Sequence, residues 1–144
     1  MINYKDIPDG WPVCPNENCP MAQDCLRHQA CRQMPATVTK WNCILPSALS
    51  DGPCKYFRKY EKVTMAKGIA AIYKNVSNRY ARTSIRVELT SFLGSKGTYY
   101  RYKDGERLIN PQLQAEIRDI VHRHAPGIEV SFDETFETYD FTRL

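Results

Sequence analysis

Apolar and polar positions change character once along this chain, near residue 62. Before that point apolar residues come singly or in pairs among prolines, cysteines and polar residues, with only weak periodicity. Beyond it they become periodic. Ile69 to Tyr73 is a short apolar stretch that suits helix or strand. Asn75 or Ser77 is a candidate cap for a helix running to Leu93, with Gly94 just past its end. At helical spacing Val76, Tyr80, Ile85, Val87, Leu89 and Phe92 cover most of the circumference, so this helix is expected to be buried on most sides. The remaining polar stripe is narrow and basic: Arg79, Arg82, Arg86 and Thr90.

Downstream, Tyr99–Lys103 and Glu106–Ile109 flank Asp104-Gly105, a dipeptide that between β-favouring segments predicts a two-residue hairpin turn. One face of that hairpin would carry Tyr100, Tyr102, Arg107 and Ile109. Asn110-Pro111 opens a helix with Asn as cap and Pro in the first turn, and Leu113, Ile117, Ile120, Val121 and His124 share a side. Pro126-Gly127 stops it. Ile128 to Phe132 alternates like a short strand, and Ser131 to Glu134 reads as a capping box for a last helix. The expected fold is α+β: a small domain with two or three helices and a β-hairpin, preceded by a Cys-rich, loop-dominated, metal-stapled segment. The expected division is residues 1–62 and residues 63–144. At 42% hydrophobic and 25% charged, the chain has the composition of an ordinary packed protein. The first segment alone has too little periodic apolar surface for a large core, which makes a staple there physically reasonable.

That segment holds all six cysteines: Cys14, Cys19, Cys25, Cys31, Cys43 and Cys54. Their compartment bears on their chemistry. The start, MINYKDIPDGWPVC, carries Lys5, Asp6 and Asp9 and no apolar core of signal-peptide length. No apolar run is long enough to span a membrane. A cytoplasmic location without a membrane partner is therefore expected, and Asn75-Val76-Ser77 then never meets the glycosylation machinery. Cytoplasmic thiols stay reduced, so clustered cysteines there more often bind metal than form disulfides. The spacing, C-x4-C-x5-C-x5-C-x11-C-x10-C, contains no C-x2-C pair of the kind zinc knuckles use. Iron–sulfur sites tolerate more varied spacing, and Pro15, Pro20 and Pro53 sit directly beside cysteines here. Zinc and a [4Fe–4S] cluster both stay open. His28, next to Arg27, reads first as a surface histidine and second as a further ligand or base.

The stretches CPNENCPMAQDCLR, CKYF (54–57), AKGI (66–69) and TYYRYKDGERLINPQLQ (98–114) resemble a family of small Cys-rich proteins from Bacteroidetes, a domain of unknown function. The resemblance spans most of the chain. It implies a bacterial protein and four metal-ligating cysteines, Cys14, Cys19, Cys25 and Cys54, with Cys31 and Cys43 as extras. It implies no activity.

Charge is uneven. Residues 1–62 have 8 basic and 6 acidic side chains, residues 63–127 have 11 and 5, and residues 128–144 have 1 and 5. Basic and aromatic residues interleaved on a ribbon suit nucleic acid, since cations meet phosphates and Tyr rings stack on bases. The candidate nucleic-acid-binding residues are Arg79, Arg82, Arg86, Arg101, Lys103 and Arg107. A helix followed by a hairpin would match a winged-helix arrangement, and the acidic tail could lie on the basic middle. No P-loop, HExxH, GxSxG or dinucleotide fingerprint is present, so an enzyme is not the expected class. Three functions are in view: a metal-binding regulator associated with nucleic acid or transcription, a metal-stapled protein-interaction module, and an iron–sulfur redox or sensor protein.

Overall fold

The computed structural model describes residues 1–50 and 52–142. Among them the chain forms four α-helices and a two-stranded antiparallel sheet, an α+β protein. It divides into two compact units. The first comprises Met1–Lys62 with the chain from Tyr139 onward, and the second comprises Val63–Thr138.

Among the described residues of the first unit, α1 (Leu26–Arg32) is the one α-helix, accompanied by short 3₁₀ turns at Tyr4–Asp6, Ala22–Asp24 and Pro46–Leu49. The unit nevertheless has a core of its own, built from Ile2, Ile7, Trp11, Val13, Leu26 and Ala30. Phe141 meets Trp11 edge-on at 5.0 Å, and Tyr139 stacks on Tyr60 at 5.3 Å. Short backbone pairings replace regular sheet. Val13 bridges Cys43, and Cys25 bridges Lys59. Leu26 N–H donates to Arg58 O and Tyr60 N–H to Asp24 O, which stitches the segment after Cys54 to the start of α1.

The second unit contains α2 (Arg79–Leu93), α3 (Lys96–Lys103) and α4 (Pro111–His124), with β1 (Lys62–Lys67) paired to β2 (Glu134–Tyr139). Ile72, Ile85, Leu89, Tyr99, Ile109, Ile117 and Ile120 form its core, and α2 packs on both α3 and α4. As the Asn-Pro signal implied, Asn110 Oδ1 accepts from Leu113 N–H and Pro111 opens α4, which ends before Pro126.

Several local expectations are corrected. Tyr99–Lys103 is helical, not one arm of a hairpin. Ser95 caps α3 through Thr98 N–H, and Asp104-Gly105 ends that helix, with Gly105 at φ 81°. There is no wing. Helix α2 is capped by Asn78, not by Asn75 or Ser77. It is not buried on most sides: Tyr80 is 72% exposed and Val87 61%, while Ile85 and Leu89 carry the packing. The supposed last helix is β2, and Ile128 to Phe132 is irregular. Asp133 is held by other work, donating its N–H to Gly68 O and accepting from Ala71 N–H, so no capping box forms. No carboxylate from 128–142 pairs with the arginine stripe among the described residues.

Candidate metal centre and basic bowl

The four cysteines singled out by resemblance come from three places: the loop before α1 (Cys14, Cys19), the residue that caps α1 (Cys25) and the segment leading to β1 (Cys54). All four line one small cavity of about 30 Å³, shared with apolar groups such as Leu45, Leu49 and Phe57 and with Arg27 and His28. That is room for a body or two of water size. Cys25 is buried and the other three half-buried. Burial pushes the Cys14 thiol up, an interaction with the Asn16 backbone lowers it, and nearby Cys25, Cys19 and Cys54 raise it further. The Cys14 thiol therefore resists ionising. Among the described residues no three His, Cys, Asp or Glu side chains are arranged as ligands of a metal ion. Four thiolates are the ligand set of a structural zinc site and of a [4Fe–4S] cluster alike.

Cys31 and Cys43 stand apart from this cavity. Burial raises the Cys31 thiol, and neighbouring Cys43 is the next cause. Cys43 is exposed, and its thiol donates to Trp41 O at 3.4 Å.

The unanticipated member of the site is Arg27. Its side chain is only 1% exposed. Nε donates to Tyr56 O and Nη1 to Pro12 O, both at 2.7 Å, and the guanidinium lies over the Trp11 ring. Nη2 has no hydrogen-bond partner among the described residues. No carboxylate pairs with it among the described residues. Burial pushes its pKa down and Arg58 pushes it further, whereas Cys25, Cys54 and Cys14, if ionised, act in the opposite direction.

His28 is buried at 2% exposure, which corrects its reading as a surface residue. It lines the same cavity, but Nδ1 is 3.0 Å from Cys14 O, and because a carbonyl only accepts, Nδ1 carries the hydrogen. Nε2 stands 3.4 Å from Glu17 Oε2. With the hydrogen on Nδ1, Nε2 carries a lone pair that meets no hydrogen-bond partner among the described residues, so this nitrogen is open to a metal.

The six basic residues are not on a ribbon. Arg82 and Arg86 on α2 and Lys103 on α3 line one open bowl with Tyr73, Thr83 and Tyr99. Arg79, Arg101 and Arg107 lie outside it. Arg79 covers the Tyr80 ring at 5.3 Å and Arg107 the Tyr102 ring at 5.9 Å.

The chain belongs to DUF6078, a family of unknown function whose model matches residues 1–141. No curated protein and no solved structure matches it. No helix among the described residues is long and apolar enough to cross a membrane.

Proposed function

We propose that this is a cytoplasmic metal-centre protein in which Cys14, Cys19, Cys25 and Cys54 supply four thiolates to zinc or to a [4Fe–4S] cluster. The observation that carries this reading is Arg27, a buried guanidinium that lines the same cavity as all four cysteines. Beside four neutral thiols its charge is uncompensated, at an effective penalty of several kcal/mol per buried ion. Four thiolates around a metal retain net negative charge and remove that penalty. Arg27 in turn favours the thiolate form that a metal requires. Zinc would supply a structural staple tying the loop before α1 to Cys54; a cluster would add one-electron redox chemistry.

Elemental analysis and an absorption spectrum of anaerobically prepared protein test the reading. Colourless protein with stoichiometric zinc, or iron with broad absorption near ~400 nm, is the expected result. Metal-free protein whose unfolding ignores both chelator and reductant contradicts it.

A second reading, association with nucleic acid or the transcription machinery, is favoured by the convergence of Arg82, Arg86 and Lys103 without a carboxylate partner among the described residues. Retention on DNA or RNA should then fall steeply with salt. Absent or salt-insensitive retention removes it, and a protein partner held at high salt would favour the exposed Tyr80 and Val87 of α2 as a contact instead.

A further inference from the structure

The bowl in the second unit has features that a merely solvated basic face does not. Arg82 and Arg86 are four residues apart on α2, so their like charges share one face of the helix and repel. Lys103 adds a third cation from α3. None of the three is in an ion pair among the described residues, and no carboxylate lines the bowl. At its wall the hydroxyls of Tyr73 and Tyr99 are 2.7 Å apart. Two phenols share one hydrogen in such a contact, and the second finds no acceptor among the described residues. Burial and the contact with Tyr99 push Tyr73 well up, so it stays a donor at any physiological pH. Thr83 donates its hydroxyl hydrogen to Arg79 O and can only accept from a ligand.

We propose that this bowl binds the phosphate of a phosphate monoester, carried by a free nucleotide or by the 5′ end of an oligonucleotide. Three cations and a phenolic donor around one site match a group of charge about −1.5 to −2 better than they match a singly charged diester. The volume, about 200 Å³, is below the roughly 300–1,000 Å³ of sites that enclose a whole drug-sized ligand. The bowl therefore takes a headgroup and leaves the rest of the ligand in solvent. The site lies wholly in the second unit and does not depend on the metal centre or on general nucleic-acid affinity.

Calorimetric titration of the full-length protein tests this, with inorganic phosphate, a 5′-mononucleotide, its unphosphorylated nucleoside, and one short oligonucleotide bearing either a 5′-phosphate or a 5′-hydroxyl. Saturable binding of the mononucleotide but not the nucleoside is expected. Arg82→Gln, Arg86→Gln and Lys103→Gln should each weaken it about tenfold or more, by loss of a charge-assisted bond. Arg101→Gln and Arg107→Gln, outside the bowl, should change it little. Preference for the 5′-phosphorylated oligonucleotide over the mononucleotide identifies a nucleic-acid end as the source, and the reverse identifies a free nucleotide. The proposal is overturned if no phosphate-bearing probe saturates, if the 5′-hydroxyl oligonucleotide binds as well as its phosphorylated twin, or if all five substitutions weaken binding alike.

Discussion

The Arg27 guanidinium lies 4.5 Å above the centre of the Trp11 ring. That face-on contact and two backbone carbonyls hold the cation inside the first unit, yet no acidic side chain among the described residues neutralises it. If thiolates do so, Arg27→Met should cost about 3–5 kcal/mol in the metal-loaded protein, the range for removing one partner of a buried charge pair. The same change should cost clearly less after the metal is stripped, when no thiolates need a counter-charge. Denaturant unfolding of both forms measures it, and an equal cost in both would show that Arg27 is only a packing residue.

Cysteine substitutions should sort into two groups. Cys25→Ser and Cys54→Ser remove cavity thiols and should abolish metal retention. Cys31→Ser and Cys43→Ser lie off the cavity and should keep the wild-type stoichiometry. Metal loss from the second pair but not the first would place the centre elsewhere.

The pH dependence should change sign with metal. Cys14, one of the four cavity thiols, is raised above the ordinary 9.0, chiefly by burial. Above that value the folded metal-free chain binds more protons than the unfolded chain, so its stability should fall as pH rises through about 9. Bound thiolates have already lost their protons, so the loaded form should gain stability with rising pH and release metal on acidification. Unfolding midpoints from about pH 6 to about pH 10, with and without chelator, give the two slopes. Parallel slopes would argue against thiolate ligation.

In the second unit Gly68 has φ 84°, and an added Cβ would sit 2.8 Å from Asp133 Cβ. Gly68→Ala should destabilise by about 1–3 kcal/mol through both strain and crowding. Asp133→Gly removes the crowding atoms, Cβ included, though it also removes the acceptor for Ala71 N–H. The double variant should therefore cost less than the sum of the two single changes. Strict additivity in thermal unfolding would mean that crowding contributes nothing.

How far the sequence could be read depended on whether a local signal had one outcome or two. Asn110-Pro111 and Pro126-Gly127 have one, and they bound α4 as expected. Asp104-Gly105 has two. A tight turn and a helix end both need the positive φ of Gly105, and the Tyr-rich β propensity before it lost to the Ser95 cap and to the burial of Tyr99 on α2. Ser131–Glu134 failed as a helix start because Asp133 was already bonded to Gly68 and Ala71, partners distant in sequence. The α2 stripe was legible as three arginines, but the bowl was not, since Lys103 and the Tyr73–Tyr99 pair reach it only through tertiary packing. The choice of Cys14, Cys19, Cys25 and Cys54 came from the family resemblance, since the spacing alone singles out no four of the six. Arg27 escaped notice because nothing in a sequence marks a cation as buried without a counter-ion.

The most direct measurement is the metal content per chain of full-length protein prepared without oxygen, set beside the variant with Cys14, Cys19, Cys25 and Cys54 all changed to Ser. The expected result is a stoichiometric complement of zinc, or of iron with sulfide, in the wild-type chain and none in the variant. A wild-type chain that is folded, metal-free and unable to take up either group would contradict the account.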